Sequence, residues 1–150
     1  MSRPILLLLA IALLAAAGCS SPREAKLRGV APMNMNSANE SVAVRVQFYF
    51  LTKPDAFQSA DYSQLWTLPG RAKEVLGDEY LGTTEVTVPP NGELKEYPLG
   101  EISGEAPWIA ILPRYTGTDG QPRTLMVPGE KIESLVIELT GYHIREAAKR

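Results

Sequence analysis

Residues 42–50 alternate without a break: Val42, Val44, Val46, Phe48 and Phe50 fall on one side of an extended chain, and Ala43, Arg45, Gln47 and Tyr49 on the other. Side chains in a strand point alternately to opposite faces, so this period of two in β-branched and aromatic residues predicts a strand with one buried and one solvated face. A slip of one residue in its pairing would turn the whole apolar set to water. The stretch 134–140 repeats the pattern with Leu135, Ile137 and Leu139, and the two runs are the obvious core candidates.

The rest of the chain fits around these two. Leu27, Gly29, Ala31 and Met33 alternate with Arg28, Val30 and Pro32, a weaker strand whose proline and glycine suit an edge. Asn34-Met35-Asn36-Ser37-Ala38-Asn39-Glu40-Ser41 then breaks the alternation with turn-forming residues. Thr52-Lys53-Pro54-Asp55 resembles a helix start, with Thr52 as cap, Pro54 in the first turn and Asp55 at the positive end. Phe57, Ala60, Asp61 and Leu65 follow on one helical face until Pro69-Gly70, and a second short helix is expected at 71–76. Further strands are expected at 83–88, 93–99, 108–115, 123–127 and 134–140. Turn signals every eight to twelve residues predict an all-β sandwich interrupted by one short helical excursion.

The N-terminus sets the compartment. Arg3 precedes an uncharged run from Ile5 to Ala17, which ends in Ala16-Ala17-Gly18-Cys19. That is the anatomy of a signal peptide, and the run is short of the roughly 20 apolar residues that span a bilayer. The cleavage region resembles a lipobox, with Ala16 where leucine is usual, so Cys19 is expected to be acylated after removal of residues 1–18. One acyl chain anchors marginally and two or three anchor stably. Ser20 stands where an Asp would be expected to retain such a lipoprotein at the inner membrane, so the outer membrane is the expected address. Residues 19–26 read as a lipidated tether, 27–145 as the sandwich and 146–150 as a tail. Cys19 is the only cysteine, so the mature chain forms no internal disulfide and relies on a packed core. Its 132 residues suffice for one domain.

The mature chain carries a net charge of about -3 and no basic stripe, which gives nucleic-acid binding no electrostatic support. Nucleophilic catalysis needs an activated Ser, Cys or Thr beside a base. The one cysteine is assigned to lipid, the one histidine, His143, follows the last expected strand and reads as structural, and no Gly-x-Ser-x-Gly elbow occurs. No close set of His, Cys and carboxylates suggests zinc. Gly77-Asp78-Glu79 and Thr118-Asp119-Gly120 read as turns rather than calcium-site fragments. Glu133 and Glu138 fall where alternation predicts solvated faces. The chain is therefore expected to be no enzyme and to hold no cofactor or metal. Trp66 and Trp108 are candidate stacking residues for a sugar or peptide, although both read more naturally as packing beside Leu65 and within Ile109-Ala110-Ile111-Leu112.

The order of these features resembles the outer-membrane lipoprotein of type VI secretion systems, the TssJ family. The resemblance is carried by the lipobox, the Val42-Ala43-Val44-Arg45-Val46 strand, Asp55-Ala56-Phe57-Gln58-Ser59-Ala60-Asp61-Tyr62 and Leu76-Gly77-Asp78, with Tyr62 in place of the family's second Phe. It is strong to Leu81 and weaker beyond, where Val86-Thr87-Val88-Pro89 and 108–114 match less closely. The resemblance implies a transthyretin-like β-sandwich tethered to the outer membrane and facing the periplasm. It also implies binding to the periplasmic domain of the inner-membrane TssM protein, alongside other membrane-complex components and the lipid reached through Cys19. In the family the loop between the first two strands contacts that partner; here it is Asn34, Met35, Asn36, Ser37, Ala38, Asn39, Glu40 and Ser41. It lacks the Gly-Arg-Pro-Ser-Pro run common in that loop. From the residues alone it reads first as a connection, one that a rigid scaffold can also present for contact. The competing reading is a periplasmic carbohydrate- or peptide-binding lipoprotein module.

Overall fold

The alternating run forms strand β2, Val44–Leu51, and Arg45 on its outer face is exposed as expected, but from Gln47 onward the strand is buried on both faces. Val44, Val46, Phe48 and Phe50 face the interior of the sandwich. Gln47 and Tyr49, on the side expected to meet water, and Leu51 beyond them are equally inaccessible. The cause lies downstream: the chain after β2 folds back over that outer face, and Phe57, Leu65, Ala72 and Leu76 make a second apolar core with Tyr49, Leu51, Ala110 and Leu112. Alternation reports which residues share a face. It does not report how many layers cover them.

The computed structural model describes residues 20–67 and 70–147. The expected signal peptide and Cys19 lie outside the described residues, as do 148–150 of the expected tail. Eight strands follow in order: β1 Glu24–Met33, β2, β3 Tyr80–Val88, β4 Lys95–Pro98, β5 Trp108–Pro113, β6 Leu125–Pro128, β7 Val136–Gly141 and β8 His143–Glu146. They form two four-stranded sheets, ordered β4-β1-β7-β8 and β3-β2-β5-β6. β1 and β7 pair in parallel, and the other pairs are antiparallel. Ala25, Leu27 and Met33 of β1 and Ile137 and Leu139 of β7 pack against β2, Ile109 and Ile111 across the interior. The expected two-sheet β-sandwich is the observed fold.

Several expectations are corrected. β1 is not an edge: β4 flanks it from Glu24 to Leu27 and β7 lies on its other side. Pro32 is tolerated because it falls beyond the β4 pairing, where the register with β7 also shifts. β1 begins at Glu24, so three residues read as tether are strand, and Ala25 is fully buried. The helical excursion is three short helices, α1 Asp55–Ser59, α2 Tyr62–Trp66 and α3 Ala72–Leu76, followed by a 3-10 turn over Gly77–Glu79. Thr52 does not cap α1. Pro54 occupies the cap position, and Glu79 reaches back so that its Oε2 accepts the Ala56 N–H at 2.8 Å. The single expected helix breaks at Ala60, whose backbone is extended, and the Asp61 N–H donates to Gln64 Oε1 at 2.9 Å at the start of α2.

His143 does not follow the last strand but opens β8, an element the sequence reading missed. Glu138 is not solvated. It is nearly inaccessible, bonded to Arg28 Nε at 2.8 Å and to the Arg145 guanidinium, so three adjacent strands are joined across the outer face of their sheet. Those two guanidiniums, Arg145 first, hold the Glu138 carboxyl below its ordinary range against the opposing effect of burial.

Candidate functional site

The β1–β2 connection, the loop expected to make contact, lies at the far end of β1 from the N-terminus of the domain. Ten strand residues separate the two ends, and at about 3.3 Å per residue that is roughly 30 Å.

The loop is built from asparagines because its backbone needs them. Asn34 and Asn39 have φ of 46° and 61°, the left-handed region that asparagine tolerates better than most residues. Asn36 is the hub: its Oδ1 accepts N–H groups from Ala38 at 3.0 Å and Glu40 at 2.9 Å, and its Nδ2 donates to Glu40 Oε2 at 3.1 Å. The Asn36 N–H also donates to the Glu40 carbonyl and the Asn39 N–H to the Asn36 carbonyl, each at 3.0 Å. At the base, the Met33 N–H donates to Ser41 Oγ at 3.1 Å and the Val42 N–H to the Met33 carbonyl at 3.2 Å. An eight-residue loop held this way keeps one shape.

The eight residues divide by accessibility. Asn34 is buried, and Met35 and Ser41 are half-buried. Asn36, Ser37, Ala38, Asn39 and Glu40 are exposed and form the face a partner can reach.

Two other connections support the loop. Asn34 Oδ1 accepts from the Thr116 N–H at 2.9 Å and hydroxyl at 3.0 Å. The Asn34 N–H donates to the Gly141 carbonyl at 2.8 Å, and the Tyr142 hydroxyl donates to the Met35 carbonyl at 3.3 Å. Asp119 Oδ2 lies 2.6 Å from His143 Nδ1 and accepts the Tyr142 N–H at 3.1 Å. These bonds, the histidine's first, hold the Asp119 carboxyl at about 2. Tyr115 packs edge-on against Tyr142, with ring centroids 6.3 Å apart. Thr116, Asp119, Tyr142 and His143 were not legible as parts of this site. They stand about 75 to 110 positions from the loop, and only the strand order brings them to it.

His143 thus has structural partners: its Nδ1 lies against Asp119, and its backbone carbonyl accepts the Tyr115 hydroxyl. The arrangement offers a hydrogen-bonded polar surface.

The candidate stacking residues lie elsewhere, on the helical side. Both tryptophans are half-buried. Trp66 is overlaid by Arg114, whose guanidinium carbon is 4.6 Å from the ring centroid and whose Nη2 donates to the Trp66 carbonyl at 3.0 Å. Arg123 stacks on Tyr62 at 3.5 Å beside a cleft of about 340 Å³. Trp108 packs against the second core. No exposed aromatic row forms among the described residues, and the expectation of packing fits these rings better than a sugar platform does.

A family profile described as type VI secretion lipoprotein (VasD, EvfM, TssJ) matches residues 22–142. No curated protein sequence matches the chain. Similar solved structures include Lip of Serratia marcescens, a membrane-bound component of the type VI secretion system, at 16% identity over 87% of this chain and 100% of that one, with a TM-score of 0.67. The lipoprotein TssJ1 from Pseudomonas aeruginosa has 23% identity over 87% and 100%, with a TM-score of 0.59. A chain in a structure described as the TssM C-terminal domain from EAEC has 19% identity over 83% and 98%, with a TM-score of 0.68. At these identities the structural likeness establishes the shared fold.

Proposed function

The chain belongs to the type VI secretion lipoprotein family, and from that premise we propose that it anchors the secretion membrane complex to the outer membrane by binding the periplasmic domain of the inner-membrane TssM protein. The observation that carries this reading is the placement of the Asn36-braced loop. It is exposed and rigid, and it stands at the opposite end of β1 from the residues that follow Cys19. A lipid at one end and a preformed polar surface roughly 30 Å away suit a link between a membrane and a second protein. Preformed loops lose less freedom on binding than mobile ones. The occurrence of this fold in a structure described as a TssM domain also supports the pairing. Ser20 after the cysteine supports the outer membrane as the address, with the sandwich facing the periplasm.

The test is a pull-down of the mature domain on the TssM periplasmic domain. Retention is expected, and replacement of 34–41 by a short Gly-Ser turn should weaken it. Unchanged affinity after that replacement removes the loop from the mechanism. In cells, Cys19→Ser should leave a folded, TssM-binding domain that fails to support secretion, and full secretion by that variant would refute the anchoring role.

A further inference from the structure

The end of the sandwich away from the loop carries features that partner binding does not use. The chain before β1 does not trail off. The Arg23 N–H donates to Ser103 Oγ at 2.8 Å, its Nη1 donates to the Ala106 carbonyl at 2.8 Å, and its carbonyl accepts the Leu99 N–H at 2.9 Å. Ser20 and Ser21 rest on a short helix, α4 Ile102–Glu105. A Cβ on Gly104 would meet the Ser21 carbonyl oxygen at 2.6 Å and that of Ser20 at 2.9 Å. A Cβ on Gly129 would come within 2.0 Å of the Ala106 carbonyl oxygen and 2.2 Å of Arg23 Nη1. Two glycines thus leave room for the seat that clamps this segment. The seat therefore holds the residues that directly follow Cys19 in the sequence.

Two of the three exposed large apolar side chains among the described residues lie at the same end; the third, Leu94, precedes β4. Ile102 on α4 is 47% exposed and Leu81 in β3 is 39% exposed. The Ile102 side chain packs over Gly82, the neighbour of Leu81. β3 starts where β2 ends, with Tyr80 opposite Leu51, and β5 starts there too, with Trp108 opposite Leu51. Leu81, and Ile102 packed over its neighbour Gly82, therefore lie at the end of the sandwich where β1 begins in the facing sheet. The charges nearby are mostly acidic: Glu24, Glu101, Glu105 and Glu130 are all exposed. A surface of that sign gains nothing from anionic lipid.

We infer that the end face made by residues 20–23, α4 and the start of β3 is a membrane-contact surface, with Ile102 and Leu81 resting in the interface of the bilayer that holds the Cys19 lipid. This rests on the lipoprotein reading above. Two partly exposed aliphatic side chains do not retain a protein on a membrane. They orient one that lipid already retains, and the clamp at Arg23 transmits that orientation into β1, so the 34–41 loop is held away from the membrane.

Because Cys19 is the only cysteine, the mature chain can be coupled through its thiol to maleimide-bearing phosphatidylethanolamine in phosphatidylcholine vesicles, whether or not cells acylate it. Backbone amide exchange at 81–83 and 102–104 should slow at least fivefold relative to uncoupled protein mixed with the same vesicles, with 36–40 unchanged. The double variant Leu81→Ser, Ile102→Ser should stay folded and lose the slowing, and ten Gly-Ser residues inserted after Cys19 should reduce it. Equal exchange in coupled and uncoupled protein overturns the proposal, as does slowing confined to 36–40. Slowing that grows when phosphatidylglycerol replaces part of the lipid overturns the apolar contact in favour of a charged one. Mass spectrometry of protein extracted from cell membranes reads acylation separately, so a missing lipid overturns the lipoprotein reading without being confused with a missing contact.

Discussion

Asn34 Oδ1 accepts two hydrogen bonds from Thr116, one from its N–H at 2.9 Å and one from its hydroxyl at 3.0 Å. This single side chain ties the β1–β2 loop to the β5–β6 loop, so the proposed contact surface is supported from both sheets. Asn34→Ala removes both bonds and places a Cβ-bearing residue without a local polar partner at φ 46°. It should destabilise the domain by about 1–3 kcal/mol in urea unfolding. Asn34→Asp keeps an acceptor and should lose distinctly less; equal losses would mean that the bonds to Thr116 contribute little.

Asn36 divides the roles differently. It is exposed, so Asn36→Ala should change global stability by no more than about 0.5–1 kcal/mol. Its two acceptor bonds and one donor bond nevertheless set the shape of the loop. Calorimetric titration with the TssM periplasmic domain should show a loss of about tenfold, or about 1.4 kcal/mol. A tight complex with this variant would show that the loop need not be preformed.

Tyr49 gives a prediction of unusual sign. It is fully buried in the second core, and among the described residues its hydroxyl has no hydrogen-bond partner. Burial raises its pKa, so it stays protonated and buries an unmet donor. Tyr49→Phe should therefore be neutral or stabilising by up to about 1 kcal/mol in thermal or urea unfolding. A loss larger than that would reveal a partner for the hydroxyl.

Asp119 makes the supporting loops sensitive to acid. Its carboxyl is held at about 2 by His143 and the Tyr142 N–H, below its value in an unfolded chain. Between those two values the unfolded state binds more protons, so stability rises with pH. The contribution is complete above about pH 5 and is lost as pH falls through about 4 to about 2. The urea midpoint should drop over that window, and Asp119→Asn should flatten part of the drop. Glu138, also held low by Arg145 and Arg28, supplies a second component of the same sign that Asp119→Asn leaves in place.

Gly129→Ala tests the seat at the other end. The added carbon would lie 2.0 Å from a backbone carbonyl oxygen that cannot swing away as a side chain does. The expected cost is about 1–3 kcal/mol, with increased proteolysis before β1. Gly70→Ala, with nothing within 4 Å of its Cβ, is the control and should be close to neutral.

Periodicity determined the strands that carry a clean alternation, because side-chain direction in an extended chain is a local property. Val44 to Phe50 and Ile137 to Leu139 are core for that reason. The asparagines marked the loop equally well, since left-handed backbone is also local. Legibility ended where a second segment decided the outcome. The outer face of β2 is dry at Tyr49 and Leu51 because α1 to α3 cover it there, Glu138 is buried because β1 and β8 each bring an arginine to it, and β1 is interior because β4 and β7 flank it. The leader and Cys19 were read from the sequence alone, while the clamp on the residues after Cys19, and the Thr116, Asp119 and Tyr142 contacts that support the loop, came only with the tertiary structure. Local pattern encodes conformation; which distant residues meet depends on how the two sheets pair and pack.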